Sequence, residues 1–177
     1  GRTSVKAQEL AAAVLSYLAT SSEESVKAIA TANGVRPLVQ MLTSGTPPAQ
    51  AHTARVLSEM AKASQRNQAQ IRAEGAVTLL VSLVSKDGAA DNKAAGAEAL
   101  HALCAGQPET QKEVASAGGI KPLVALLGEE DDNARRQGAG AIAALCSGNS
   151  DNKDAIEKFK GISKLVSLLE SSFGPQV

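Results

Sequence analysis

One segment, AGGIKPLVALL at residues 117–127, constrains the whole chain, because close variants of it recur at a nearly fixed interval. It returns as NGVRPLVQML from Asn33, EGAVTLLVSLV from Glu74 and KGISKLVSLL from Lys160. Aligned on the Leu-Val pair, Leu38, Leu80, Leu123 and Leu165 lie 42, 43 and 42 residues apart. Such a period marks stacked structural repeats that bury their apolar faces on one another, and not a single closed core.

The repeats are predicted to be helical. The 177 residues are 44% hydrophobic but only 2% aromatic, with no Trp, so Ala, Leu, Val and Ile must fill the core. That palette suits packed helices, and alternation at period two, the mark of a half-buried strand, is absent. Residues 6–19 carry Leu10, Val14 and Leu18 at helical spacing. Ser21 with Glu24 reads as a capping box opening a short helix that Asn33-Gly34 ends. A second helix runs from Pro37 to Ser44-Gly45, and Thr46 with Pro47 starts a longer third one ending near Ala63. The order short, medium, long then returns twice, and a last copy stops after its second helix.

The pieces fall at 1–20, 21–64, 65–106, 107–148 and 149–177, within one domain. The chain thus starts on a third helix and stops after a second, which predicts a fragment of a longer array. Columns outside the aligned segment keep the register: Ile29, Ile71, Val114 and Ile156 in the first helices, Leu15, Leu57, Leu100 and Ile142 in the third.

A three-helix unit of about 42 residues, whose second helix opens A-G-G-I-x-P-L-V-x-L-L, resembles the armadillo repeat, and so do the A-x-x-L-C ends at Cys104 and Cys146. The resemblance covers nearly the whole chain. It implies an all-α, right-handed superhelical solenoid of about four repeats, the first and last incomplete, whose third helices line a concave groove that binds partner proteins or extended peptides. The importin α adaptors of that family place Trp and Asn on each third helix. The matching positions here are Ala13 and Tyr17, Arg55 and Glu59, Glu98 and Ala102, Gly140 and Ala144, so the resemblance does not extend to a reader of nuclear-import signals.

Side chains that invite other chemistry fit the repeat better. Cys104 and Cys146 share a column with Ala19 and Ala61 and read as small core residues. His101 and Cys104 share a helix face, but no orienting carboxylate accompanies them. Gly96 and Gly138 read as close helix contacts, in one column with Ala12 and Ala54; Gly140 falls on the groove. Glu129 to Asp132 precede a third helix, where acidic groups favour the positive helix end.

The expected function is a non-enzymatic scaffold or adaptor without cofactor or metal, intracellular, in the cytoplasm or nucleus. The groove candidates are Tyr17, His52, Arg55, Glu59, Glu98 and Arg136, with Glu9 in the same row; Arg55 is expected to face Glu59 and Glu98. Lys plus Arg equals Asp plus Glu at 18 each, which gives no global field for nucleic acid, and no apolar run is long enough for membrane insertion. The alternative is a structural spacer or self-associating segment of a longer armadillo array, with self-association through uncapped ends.

Overall fold

The computed structural model describes residues 4–86 and 88–170, and they form twelve helices and no strand. In chain order these are α1 (Val5–Ser21), α2 (Glu23–Thr31), α3 (Val35–Ser44), α4 (Pro47–Ala63), α5 (Gln65–Ala73), α6 (Ala76–Ser85), α7 (Ala90–Cys104), α8 (Pro108–Ser116), α9 (Ile120–Leu126), α10 (Asp132–Cys146), α11 (Ser150–Lys158) and α12 (Gly161–Glu170). Helices α1, α4, α7 and α10 are the third helices of successive repeats and pack chiefly on one another, much more closely than the first or second helices do. In a curved stack the most closely spaced row lies on the inner side, which puts the third helices on the concave face.

The turn between first and second helices explains the recurring segment. Asn33, Gly75, Gly118 and Lys160, each five residues before a ruler leucine, all take a left-handed φ, between 56° and 78°. This ends one helix and reverses the chain at once into the next. The following Gly119 and Gly161 sit so close that an added Cβ would come within 2.7 Å of Val114 and 2.5 Å of Ile156.

The ruler leucines hold the core. Leu80 and Leu123 are wholly buried, Leu38 nearly so, and Ile71, Val114, Leu57 and Leu100 surround them in one continuous cluster.

Three local expectations shift. Ser21 closes α1, donating its hydroxyl to the Tyr17 carbonyl at 2.6 Å, and the cap of α2 is Ser22, whose Oγ accepts from the Ser25 amide at 3.1 Å. Its extended backbone, with φ −158° and ψ 143°, makes Ser22 the boundary residue. The column of Gly96 and Gly138 contains Thr53 and Ala11, one residue before the Ala54 and Ala12 assigned to it. Cys104 is buried as expected, whereas Cys146 in the same column is only half-buried; both thiols are free.

Candidate interaction surface

On α4 the residues left to solvent between the flanking third helices are His52, Arg55, Glu59 and Lys62, spaced as one helical stripe. The stripe continues onto α7 through Asp91 and Glu98 and onto α1 through Leu10 and Tyr17, the latter 74% exposed. Five of the six groove candidates therefore share one surface. Arg136 does not: its column holds Ala51 and Ala94, both buried, so it points along the stack from α10. Glu9 belongs to that same column and is already engaged, accepting from Thr46 Oγ1 at 2.7 Å and Lys6 Nζ at 2.7 Å. Those two hydrogen bonds hold its carboxyl below the usual range.

The charges on the stripe are paired across repeats, and the pairing differs from expectation. Arg55 Nη2 donates to Asp91 Oδ1, while Lys62 Nζ donates to both Glu59 and Glu98 at 2.8 Å. Partial burial would lower the Lys62 pKa, but the two carboxylates outweigh it and raise it. Asp91 and Lys62 were not among the sequence candidates, although both lie at stripe spacing from residues that were. Gly140, on the groove by sequence, lies close beneath His101: a Cβ there would come within 2.8 Å of His101 Nδ1.

His101 and Cys104 gain no catalytic character from this placement. Burial, with the Glu113 carboxylate adding to it, pushes the Cys104 thiol up to about 12, the opposite of what a thiolate nucleophile requires. Glu129 ties to Lys93 at 2.8 Å, and Asp131 Oδ1 accepts from the Ala134 amide at 2.7 Å, so the acidic turn caps and anchors α10. Among the described residues no three His, Cys, Asp or Glu side chains gather as metal ligands, and no helix is long and apolar enough to cross a membrane.

A set of buried amides, invisible to the helical ruler, joins the repeats along one edge. Gln68 Nε2 donates to the Ala102 carbonyl at 2.8 Å, and Gln111 Nε2 donates to Ala144 and Ser147 carbonyls at 2.9 and 3.1 Å. Asn67 and Asn152 donate to Met60 and Leu145 carbonyls at 2.8 and 3.0 Å. The last turn of a helix leaves carbonyls without partners, and these side chains satisfy them from the neighbouring helices.

Three-helix units stacked on shared third helices, with an exposed mixed-charge stripe, define an α-solenoid repeat protein. No protein-family model matches the chain. It is similar to Protein CELLULOSE SYNTHASE INTERACTIVE 3 of Arabidopsis thaliana, 30% identical over 95 residues, or 54% of this chain; the chain spans 4% of that relative's length. The crystal structure of an engineered protein superposes with a TM-score of 0.84 at 32% identity, over 94% of this chain and 67% of that one. A designed armadillo repeat protein in complex with the peptide (KR)4 superposes with a TM-score of 0.81 at 23% identity, over 93% of this chain and 69% of that one. The fold is that of the designed armadillo repeat proteins.

Proposed function

We propose that the chain is a non-enzymatic, intracellular protein-interaction scaffold that binds a partner protein or extended peptide along α1, α4 and α7. The observation that carries this reading is the stripe of Tyr17, His52, Arg55, Glu59 and Glu98, held for the most part on α4 and α7, whose other faces are buried in the core. Tyr and Arg on rigid helices are the side chains that most often anchor interfaces. The designed armadillo repeat protein in complex with the peptide (KR)4 supports the use of this fold for binding peptides.

Because Arg55 is matched by Asp91 and Lys62 by Glu59 and Glu98, the surface presents alternating charge of both signs. A ligand of mixed charge fits it, and a nucleic-acid backbone does not. The stacking pairs of the nuclear-import adaptors are missing at Ala13 and Tyr17, Arg55 and Glu59.

The test is selection of peptides from a random displayed library on the wild-type chain, followed by titration of the selected peptide against Tyr17→Ala and Arg55→Glu. Each variant is expected to weaken binding about tenfold or more, near 1.4 kcal/mol, with helicity and melting temperature unchanged for Tyr17→Ala. Undiminished binding by both variants refutes the assignment.

A further inference from the structure

The first helices of successive repeats meet along three seams, and the first seam differs from the others in its sequence. Between α5 and α8, Gln107 Nε2 donates to Gln68 Oε1 at 3.0 Å, and between α8 and α11, Asn149 Nδ2 donates to Gln111 Oε1 at 3.4 Å. The matching pair between α2 and α5 is Val26 and Ser64. Val26 has no polar atom to offer, and Ser64 Oγ is turned back on its own helix, where it accepts from the Asn67 amide at 3.2 Å. A cleft of about 470 Å³ stays open there, walled by α2 and α5 with the end of α4 between them.

The charges that line this cleft are lopsided. Its ionisable groups are Glu23, Lys27, Lys62 and Arg66, and Lys62 is drawn off to Glu59 and Glu98. Lys27 and Arg66 are exposed, and among the described residues neither side chain makes an ion pair or a hydrogen bond. At the two following seams the matching positions are Ala69 with Glu109 and Lys112 with Asp151. Only the first seam therefore sets cation beside cation. Like charges brought together cost free energy that an anionic partner removes.

We propose that the α2–α5 cleft is a second docking surface, one that takes an acidic segment of a partner protein with its carboxylates on Lys27 and Arg66. The inference goes beyond groove binding and does not depend on it. The cleft is many times larger than the roughly 30 Å³ share of a single water, so it suits a run of side chains better than a small free anion. No aromatic residue lines it, so nucleic-acid bases have nothing to stack on, and Glu23 opposes an unbroken row of phosphates.

Fluorescence anisotropy of a labelled hexaglutamate peptide at low salt, titrated with the full chain, tests this. The wild type is expected to bind, and Lys27→Glu and Arg66→Glu, both at exposed positions, are each expected to weaken binding about fivefold or more with helicity unchanged. Val26→Gln combined with Ser64→Gln, which copies the Gln68 and Gln107 pair, is expected to close the cleft and abolish binding; the two charge reversals carry the test if that variant loses structure. Tyr17→Ala and Arg55→Glu are expected to leave hexaglutamate binding unaltered, so the cleft and the groove readings fail separately. A wild type that does not bind the peptide overturns the proposal, as does undiminished binding by both charge reversals. So does an equal loss with Arg55→Glu, which would move the acidic peptide to the groove, or tighter binding of a labelled oligothymidylate that is lost with Arg66→Glu, which would make the partner a nucleic acid.

Discussion

The junction between α7 and α10 and the junction between α1 and α4 are built from the same columns, yet only the first is sealed along its edge. At the α7 to α10 junction, Gln111 reaches from α8 to the last carbonyls of α10. At the α1 to α4 junction the same position is Val26, which has no amide to donate. Two clefts of about 300 and 470 Å³ open beside it, lined by Val26, Glu23, Lys62 and Ala63 among others. Apolar columns stack the repeats, and the buried amides close the seams between them. Cysteine column-mates show the same gradient from another direction, with Cys104 sealed between neighbours and Cys146 half-open on the last third helix.

The sharpest way to break the comparison is to remove the ruler residue on each side. Leu123→Ala is expected to cost about 2–5 kcal/mol in denaturant unfolding, the usual range for a buried leucine. Leu38→Ala is expected to fall near the bottom of that range, because Leu38 already lines an apolar cavity and its surroundings are less tightly filled. Equal costs would mean that the end repeat is packed as firmly as the interior.

Alkaline titration addresses the cysteine pair. The folded state holds the Cys104 thiol protonated up to about 12, against an ordinary value of 9.0. Between those values the native state binds the extra proton, so stability falls as pH rises, by an amount on the order of 4 kcal/mol at most. The raised pKa of Lys62 acts in the same direction, its contribution being present at neutral pH and lost as pH climbs through the folded value. Cys104→Ala, which installs the residue found at Ala19 and Ala61, is expected to flatten the decline, and Cys146→Ala to flatten it less.

The seam itself is tested by Gln111→Val, which copies the Val26 junction onto the interior. Leaving the Ala144 and Ser147 carbonyls without their donor is expected to cost about 1–3 kcal/mol. Hydrogen exchange in α8 and the last turn of α10 is expected to quicken toward that of α2 and α4. A neutral substitution with unchanged exchange would show that the amides are incidental to the seam.

The fold was legible because it is periodic. A leucine at 42-residue spacing, the turn five residues before it and the apolar columns all repeat, so each copy corroborates the others. The side-chain network was legible only in part. Arg55, Glu59 and Glu98 stand out on a helical stripe, but their actual partners, Asp91 and Lys62, depend on how far one third helix is offset against the next, and helical spacing does not carry that offset. Gln68 and Gln111 escaped notice because a polar residue on a first helix reads as solvent-facing until the neighbouring repeat brings carbonyls over it. Arg136 looked like a groove residue for the converse reason: it is exposed, but on the flank that Ala51 and Ala94 bury in the interior.

The smallest expected effect concerns the charges that bridge α4 and α7. Lys62 is about half exposed, its side chain retaining 47% of its accessible surface, so solvent screens the attraction to Glu59 and Glu98. Lys62→Met keeps the stem that covers the edge of α4 while deleting the charge. It is expected to lower stability by about 0.2–1 kcal/mol at low salt and by less at high salt, where the pair is already weakened. The same substitution leaves Glu59 and Glu98 unneutralised on the stripe, so binding of a mixed-charge peptide should shift toward more basic sequences even though folding scarcely changes. A loss much above that range would instead place Lys62 with the amides as part of the seam, and would mean that the α4 to α7 junction is held by charge as well as by the Gln68 amide.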